Sequence, residues 1–386
     1  MLRLFSKNLL HKSSSNNHVY LPQIQSLVQF CTNSTNYHLP TVSYLIEKCG
    51  LSLDSAISAS KKISKIKSTD KPDLVLQLFK TYGFTETQLT KVFTICPKLI
   101  LADPVKNLKP KFEYFESTLG FSKPDIATII CSNNTFLPGI LTNQVIPTLN
   151  FLKSLLKTNG NVLMALKRYY WGLNQNSYQI VEPNIATLRL HGVPEFNISK
   201  LFMIEPRALT HTNVRFKEIV TAIEKMGFDP GARSFVLAIS VMGSMAKSLW
   251  EKKVEVYKSF GLSEKDVISA FKLLPQHMRT SEKKIRTLMD FYLNELGLQP
   301  SDVSKNPNLM LVSLKMKIIP RCSVLLFLLS NGLVKKDLNL VQTLKTEKKT
   351  FEKKYVNKYK EYPEVLKAYK GELGYPRLET LRLMNF

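Results

Sequence analysis

Apolar residues along this chain recur at intervals of three and four, as at Phe112, Phe115 and Leu119 and again at Ile219, Ile223 and Met226. That spacing lines one face of an α-helix rather than one face of a strand. The segments LKPKFEYFESTLG, NVRFKEIVTAIEKMG and KKIRTLMDFYLNELG all carry it, and each closes on a glycine. A glycine after the last apolar position reads as a helix end, because it turns left-handed without steric cost. The expectation is an all-α chain.

The glycines also set a register. Gly50, Gly83, Gly120, Gly160, Gly192, Gly227, Gly261, Gly297 and Gly332 follow one another at 33, 37, 40, 32, 35, 34, 36 and 35 residues. A period of about 35 residues is the mark of a helical array. Each glycine but one is followed by an apolar residue; Asn161 after Gly160 is the exception.

Inside the unit the text is more specific than the period. Thr85 with Gln88, Ser122 with Asp125, and Ser263 with Asp266 have the spacing of a capping box, which opens a helix just after the glycine. The pairs Phe84 with Leu89, Phe121 with Ile126, and Leu262 with Val267 fit hydrophobic staples across those caps. A proline fourteen residues after the glycine, at Pro97, Pro206 and Pro275, or ten residues after it at Pro307, then stops the first helix. Short apolar pieces such as Leu99-Ile100-Leu101 and Ala208-Leu209 come next, followed by the second amphipathic helix. Each unit is therefore read as helix, proline-marked turn, helix. The copies at Gly120, Gly160 and Gly227 lack the proline at its usual place.

A glycine with an apolar neighbour, a capped helix, Pro-x-Leu-Leu-like text and a second amphipathic helix resemble the repeat of the mitochondrial transcription termination factor (mTERF) family, in its plant-type organellar branch. The resemblance spans roughly Val42 to Leu333. It implies a solenoid of about eight such units, curved, with a concave basic surface, in a mitochondrion or chloroplast. Tetratricopeptide and pentatricopeptide arrays share the period, but the tetratricopeptide Trp, Leu-Gly and Tyr signature is not repeated here and the internal proline fits neither.

Charge narrows the ligand class. The 386 residues carry 54 Lys and Arg against 30 Asp and Glu, a formal net charge of +24, which favours a polyanionic partner. Equivalent positions of a solenoid line up along one surface, so cations at one offset form a stripe. Counted 25 residues from the preceding glycine, Lys217, Lys252 and Arg286 share an offset; Arg215 and Lys284 stand two residues earlier, with Lys253 and Lys283 beside them. All lie near the start of the second helix, where a cation opposes the helix dipole unless an outside anion is present. Arg207 after Pro206 and Lys98 after Pro97 are further cations at the turn. A solvated helix face accounts for the same residues equally well.

The segment LKRYYWGLN sets Lys167 and Arg168 beside Tyr169, Tyr170 and Trp171, a mix suited to base stacking, although core packing is the stronger reading. Residues 1–36 read as a cleaved mitochondrial presequence, with a chloroplast transit peptide as the alternative: no acid occurs before Glu47, while Arg3, Lys7 and Lys12 alternate with Leu2, Phe5, Leu9 and Leu10. Residues 334–386 read as a basic helical cap in which Lys348, Lys349, Lys353 and Lys354 offer a second anion-binding patch.

Five scattered cysteines without a CxxC pair fit a reducing compartment. No nucleotide-loop, zinc-protease or nucleophile-elbow text occurs, and the six histidines show no metal-ligand or triad spacing. The chain is thus expected to be no enzyme, to need no cofactor or metal, to take no small-molecule substrate, to lack a membrane span and to act as a monomer on its ligand. That ligand is expected to be double-stranded DNA, bound in regulating mitochondrial transcription or its termination. Organellar RNA, in intron splicing or ribosome assembly, and a scaffold without nucleic acid are the other readings.

Overall fold

A computed structural model describes residues 39–132, 137, 139–168, 177–335 and 337–372. Among them every regular element is helical, and the expected helical repeat is observed. The presequence and the Tyr169–Trp171 cluster lie outside the described residues.

Glycine marks the repeat boundary for a backbone reason. Eight of the glycines that close helices in the array or after it adopt φ between 66° and 80°, with Gly261 at 89°. After each turn the next amide reaches back to the helix it has left, as in Phe84 N–H to the Phe79 carbonyl at 3.2 Å and Val193 N–H to the Leu188 carbonyl at 3.0 Å. This six-to-one bond satisfies a carbonyl the helix end would orphan. The apolar residue after the glycine is thereby turned inward: Phe84, Phe121, Val193, Phe228 and Leu262 are all buried.

Gly160 is the exception, and the structure corrects its assignment. It sits inside the helix Asn159–Arg168. The left-handed residue of that boundary is Lys157, at φ 67°, three residues earlier. The next helix is capped by Thr158, whose hydroxyl accepts from Asn161 N–H at 3.1 Å. With Lys157 as the boundary, the irregular spacings of 40 and 32 become 37 and 35.

Two of the three expected capping boxes close in full, and at the third the Ser122 hydroxyl accepts from Asp125 N–H at 3.3 Å. Thr85 and Gln88 exchange both bonds, as do Ser263 and Asp266. The prolines mark tight turns at Pro97–Leu101, Pro206–Thr210, Pro275–Arg279 and Pro307–Leu311, each with its proline and the second and third residues after it buried. The Gly227 repeat, which lacks the proline, ends its first helix, Arg233–Met242, on Gly243. A Cβ there would stand 2.9 Å from the Ala208 side chain, so glycine permits the preceding turn to approach.

The described residues pack as two compact units, divided between Tyr178 and Gln179. In the first, the opening helices Leu53–Ser60, Glu86–Ile95, Lys123–Ser132 and Asn159–Arg168 each pack on the next; in the second, Glu195–Ile204, Arg233–Met242, Glu264–Leu273 and Pro300–Lys305 do the same. Neighbour-to-neighbour stacking of this kind is how a repeat that cannot bury its own apolar face becomes stable.

A second proline recurs in the closing helices, at Pro110, Pro147, Pro183 and Pro320. Three of these helices open with a widened turn bonded five residues back, at Pro104–Leu108, Leu141–Val145 and Leu314–Ile318. Proline has no N–H to give and its ring collides with the carbonyl four residues back, so a widened turn just before it avoids the clash. The residue after each proline is polar and buried: Lys111, Thr148, Asn184 and Arg321.

Three of those four bridge to the following repeat. Lys111 Nζ donates to the Leu137 carbonyl at 2.7 Å, Asn184 Nδ2 to Leu209 at 2.9 Å, and the Arg321 guanidinium to Leu344 at 2.9 Å and Thr346 at 2.7 Å. Thr148 bonds within its own helix, to Gln144. Buried donors are tolerated because each finds a carbonyl. The repeats are thus tied by polar bolts as well as by apolar packing.

Candidate nucleic-acid interface

The predicted stripe falls on three consecutive closing helices, Asn213–Lys225, Lys247–Lys258 and Glu282–Asp290, all in the second unit. Each buries an apolar face, through Phe216, Ile219, Val220 and Ile223 in the first, Val256 and Tyr257 in the second, and Ile285, Leu288 and Met289 in the third. The remaining face carries the charge. Lys217, Lys252, Lys283 and Arg286 are exposed, while Arg215 and Lys284 are half-buried.

Not every cation stands where the glycine count placed it. The span from Gly227 to the helix start at Lys247 is one residue shorter than that from Gly192 to Asn213, so counting from the preceding glycine shifts the register. Counting back from the helix end removes the shift, because Phe228 N–H bonds to Ile223 and Leu262 N–H bonds to Tyr257 in the same capping geometry. In that register Lys217 is matched by Glu251, not Lys252, and then by Arg286. Lys252 lies one position over, opposite Glu218 and Thr287. The row is therefore broken by an acid at its centre, with the middle cation displaced sideways.

The same register explains Lys253. It occupies the core position held by Ile219 and Leu288 in the neighbouring helices, and it is 4% exposed. Its Nζ donates to the Met278 carbonyl at 2.7 Å, and burial holds its pKa below the usual lysine range. Lys253 is a bolt between repeats and not a surface cation. Lys111 and Arg321 are likewise inside. Part of the positive charge counted in the composition is therefore consumed by the fold.

The helix-dipole expectation also needs revision. Arg215, Lys283 and Lys284 fall in the first turn, but Lys217 and Arg286 are fifth residues of their helices and Lys252 is the sixth. The dipole acts within the first turn, so it bears little on these three. Two of the helix starts are already capped: Thr212 accepts from Arg215 N–H at 3.4 Å and Ser281 from Lys284 N–H at 3.3 Å.

Partner choice separates the cations further. Arg215 pairs with Glu218 at 3.0 Å, within one helix turn. Among the described residues, Lys217, Lys252, Lys283 and Arg286 make no ion pair with an acid, so they meet an incoming phosphate without first losing a partner. Arg207 and Lys98 are exposed at their turns. Arg279, at the end of the Pro275 turn, is instead committed to Glu205 at 3.1 Å and to the Ser240 carbonyl at 2.9 Å.

Beside these helices lies a groove of about 460 Å³ whose walls include Met226, Met242, Met245 and Trp250 together with Arg215, Lys247, Glu218, Glu251 and Glu264. Trp250 on that wall stands outside the aromatic cluster that the sequence offers at Trp171. Its signal was weak, because Trp250 packs edge-on against Phe271 at 4.8 Å and is half-buried. Three carboxylates make the groove unsuited to a phosphate backbone. The exposed face bearing Lys217, Lys252, Lys283 and Arg286 remains as the phosphate-compatible surface.

Among the described residues no cluster of His, Cys, Asp and Glu has the arrangement of a metal site, and no helix is long and apolar enough to cross a membrane. The four described cysteines, Cys49, Cys96, Cys131 and Cys322, are free thiols, and burial raises the pKa of each.

No curated protein matches the chain closely enough to lend it a function. The sequence profile of the mTERF family does match, over residues 76–339. That span takes in the glycine boundaries from Gly83 to Gly332, the proline turns and all three charged closing helices. Its members are helical-repeat proteins associated with nucleic-acid binding. With well over half of its length matched by the profile and with the helical repeat it requires, the chain belongs to the mTERF family.

Proposed function

We propose that this protein binds double-stranded DNA in the mitochondrion through the closing helices of the Gly192, Gly227 and Gly261 repeats, and that it thereby regulates transcription or its termination. The observation that carries the reading is the presence of Lys217, Lys252, Lys283 and Arg286, exposed and without acidic partners among the described residues, on three successive helices. Cations in such positions hold backbone phosphates and release counterions, which provides affinity without sequence information. Specificity then requires base contacts or deformation of the duplex. The acid-free stretch before Glu47 supports import into an organelle.

The test is binding of the purified chain to duplex DNA, single-stranded DNA and structured RNA across a salt series. Preference for the duplex, weakening steeply with salt, supports the reading. Preference for structured RNA moves the protein to splicing or ribosome assembly. Absence of any salt-sensitive binding leaves an interaction scaffold.

A further inference from the structure

A second concentration of cations lies in the C-terminal segment, apart from the repeat helices. Residues 348–359 form a helix that widens at Glu352–Val356 before a final tight turn, Asn357–Tyr359. In the widened part the Asn357 N–H bonds to the Glu352 carbonyl, five residues back. Residues four or five apart then share a side, which brings Lys349, Lys353, Lys354 and Lys358 to one concavity of about 720 Å³.

Its floor is fixed. The Tyr359 hydroxyl donates to the Leu333 carbonyl at 2.8 Å, and the Lys358 ammonium lies 5.3 Å from the Tyr359 ring centre. Tyr355 stands on the wall, packed at 5.1 Å against Phe351, which itself covers the buried Arg321 guanidinium at 4.4 Å.

Among the described residues the charge around this concavity is uncompensated: all four lysines are exposed, and no carboxylate lines the cavity. Glu352, on the same helix, is engaged elsewhere, with Lys348 at 3.8 Å and the Tyr369 hydroxyl at 3.3 Å. Like charges one turn apart disfavour the helix, so four in one hollow are a standing cost that a bound polyanion would remove. Ammonium groups act as point charges that suit phosphate oxygens without demanding one planar geometry.

We infer that this hollow binds a ligand with at least two closely spaced phosphates, seated on Lys353, Lys354 and Lys358. Both a free polyphosphate and a nucleic-acid backbone present that chemistry. The site stands whether or not the repeat helices hold DNA.

The test is calorimetric titration of the full chain with inorganic tripolyphosphate, and separately with a short single-stranded oligonucleotide. It is run on the wild type, on Lys353→Gln/Lys354→Gln/Lys358→Gln and on Lys217→Gln/Arg286→Gln. The expected result is saturable tripolyphosphate binding that is at least about tenfold weaker in the first variant, the loss of one or more charge-assisted contacts, and unchanged in the second. Displacement of tripolyphosphate by the oligonucleotide assigns the site to nucleic acid; its failure to displace assigns a free polyphosphate. No saturable tripolyphosphate binding, or equal binding by the first variant with its melting temperature unaltered, overturns the inference.

Discussion

Lys253 Nζ lies 2.7 Å from the Met278 carbonyl oxygen, so a lysine of one repeat is bonded to the proline turn of the next. Replacing it by methionine keeps most of the volume but orphans a buried acceptor. Lys253→Met is expected to lower stability by about 1–3 kcal/mol, read by denaturant titration, while the folded variant binds nucleic acid as the wild type does. Weaker binding at unchanged stability would return Lys253 to the contact surface.

Lys157 closes a helix at φ 67° with a side chain that disfavours this conformation. Lys157→Gly is therefore expected to stabilise the protein by about 1 kcal/mol. A variant no more stable than the wild type would show that Lys157 makes contacts that offset the backbone strain.

His277 is buried beside Tyr257, whose hydroxyl lies 3.1 Å from Nδ1, and its Nε2 has no hydrogen-bond partner. Burial, with Lys253 nearby, pushes its pKa down from 6.5 to about 4. Between those values the unfolded chain takes up a proton that the folded one refuses, so stability falls as pH drops from about 6.5 to about 4. His277→Phe should flatten that part of the stability profile, measured by denaturant midpoints against pH; an unchanged slope would mean that another group titrates there.

Gly243 has no room for a side chain, since a Cβ would stand 2.9 Å from both the Ala208 Cβ and the Ile239 carbonyl oxygen. Overpacking of this kind costs roughly 1–3 kcal/mol, so Gly243→Ala should lower the melting temperature clearly. A neutral effect would mean that the Pro206 turn moves aside easily.

Much of the fold was legible because local signals agree. Thr85 with Gln88, the glycines and the prolines at Pro97, Pro206 and Pro275 each dictate a backbone event within a few residues. Gly160 misled because a glycine near the expected position hid a lysine doing the same work. The charged site was less legible. Spacing from a glycine cannot see that the Gly227 repeat reaches its closing helix one residue sooner, and only the helix end shows that Glu251 interrupts the row of Lys217 and Arg286. Nor does charge reveal burial, since a lysine long enough to reach the next repeat satisfies its ammonium there. The Pro110-Lys111 and Pro320-Arg321 pairs carried that signal, a cation directly after a helix-opening proline.

The surface assignment is tested most directly by affinity for a short DNA duplex against salt concentration, in the wild type and in Lys217→Glu/Lys252→Glu/Arg286→Glu. Exposed cations that each neutralise a phosphate contribute about −0.9 apiece to the logarithmic salt slope. The expected wild-type slope is about −3 or steeper, and the variant should lose most of it together with the binding, at an unchanged melting temperature. A variant that binds with the same affinity and the same slope would contradict these helices as the place where nucleic acid is held.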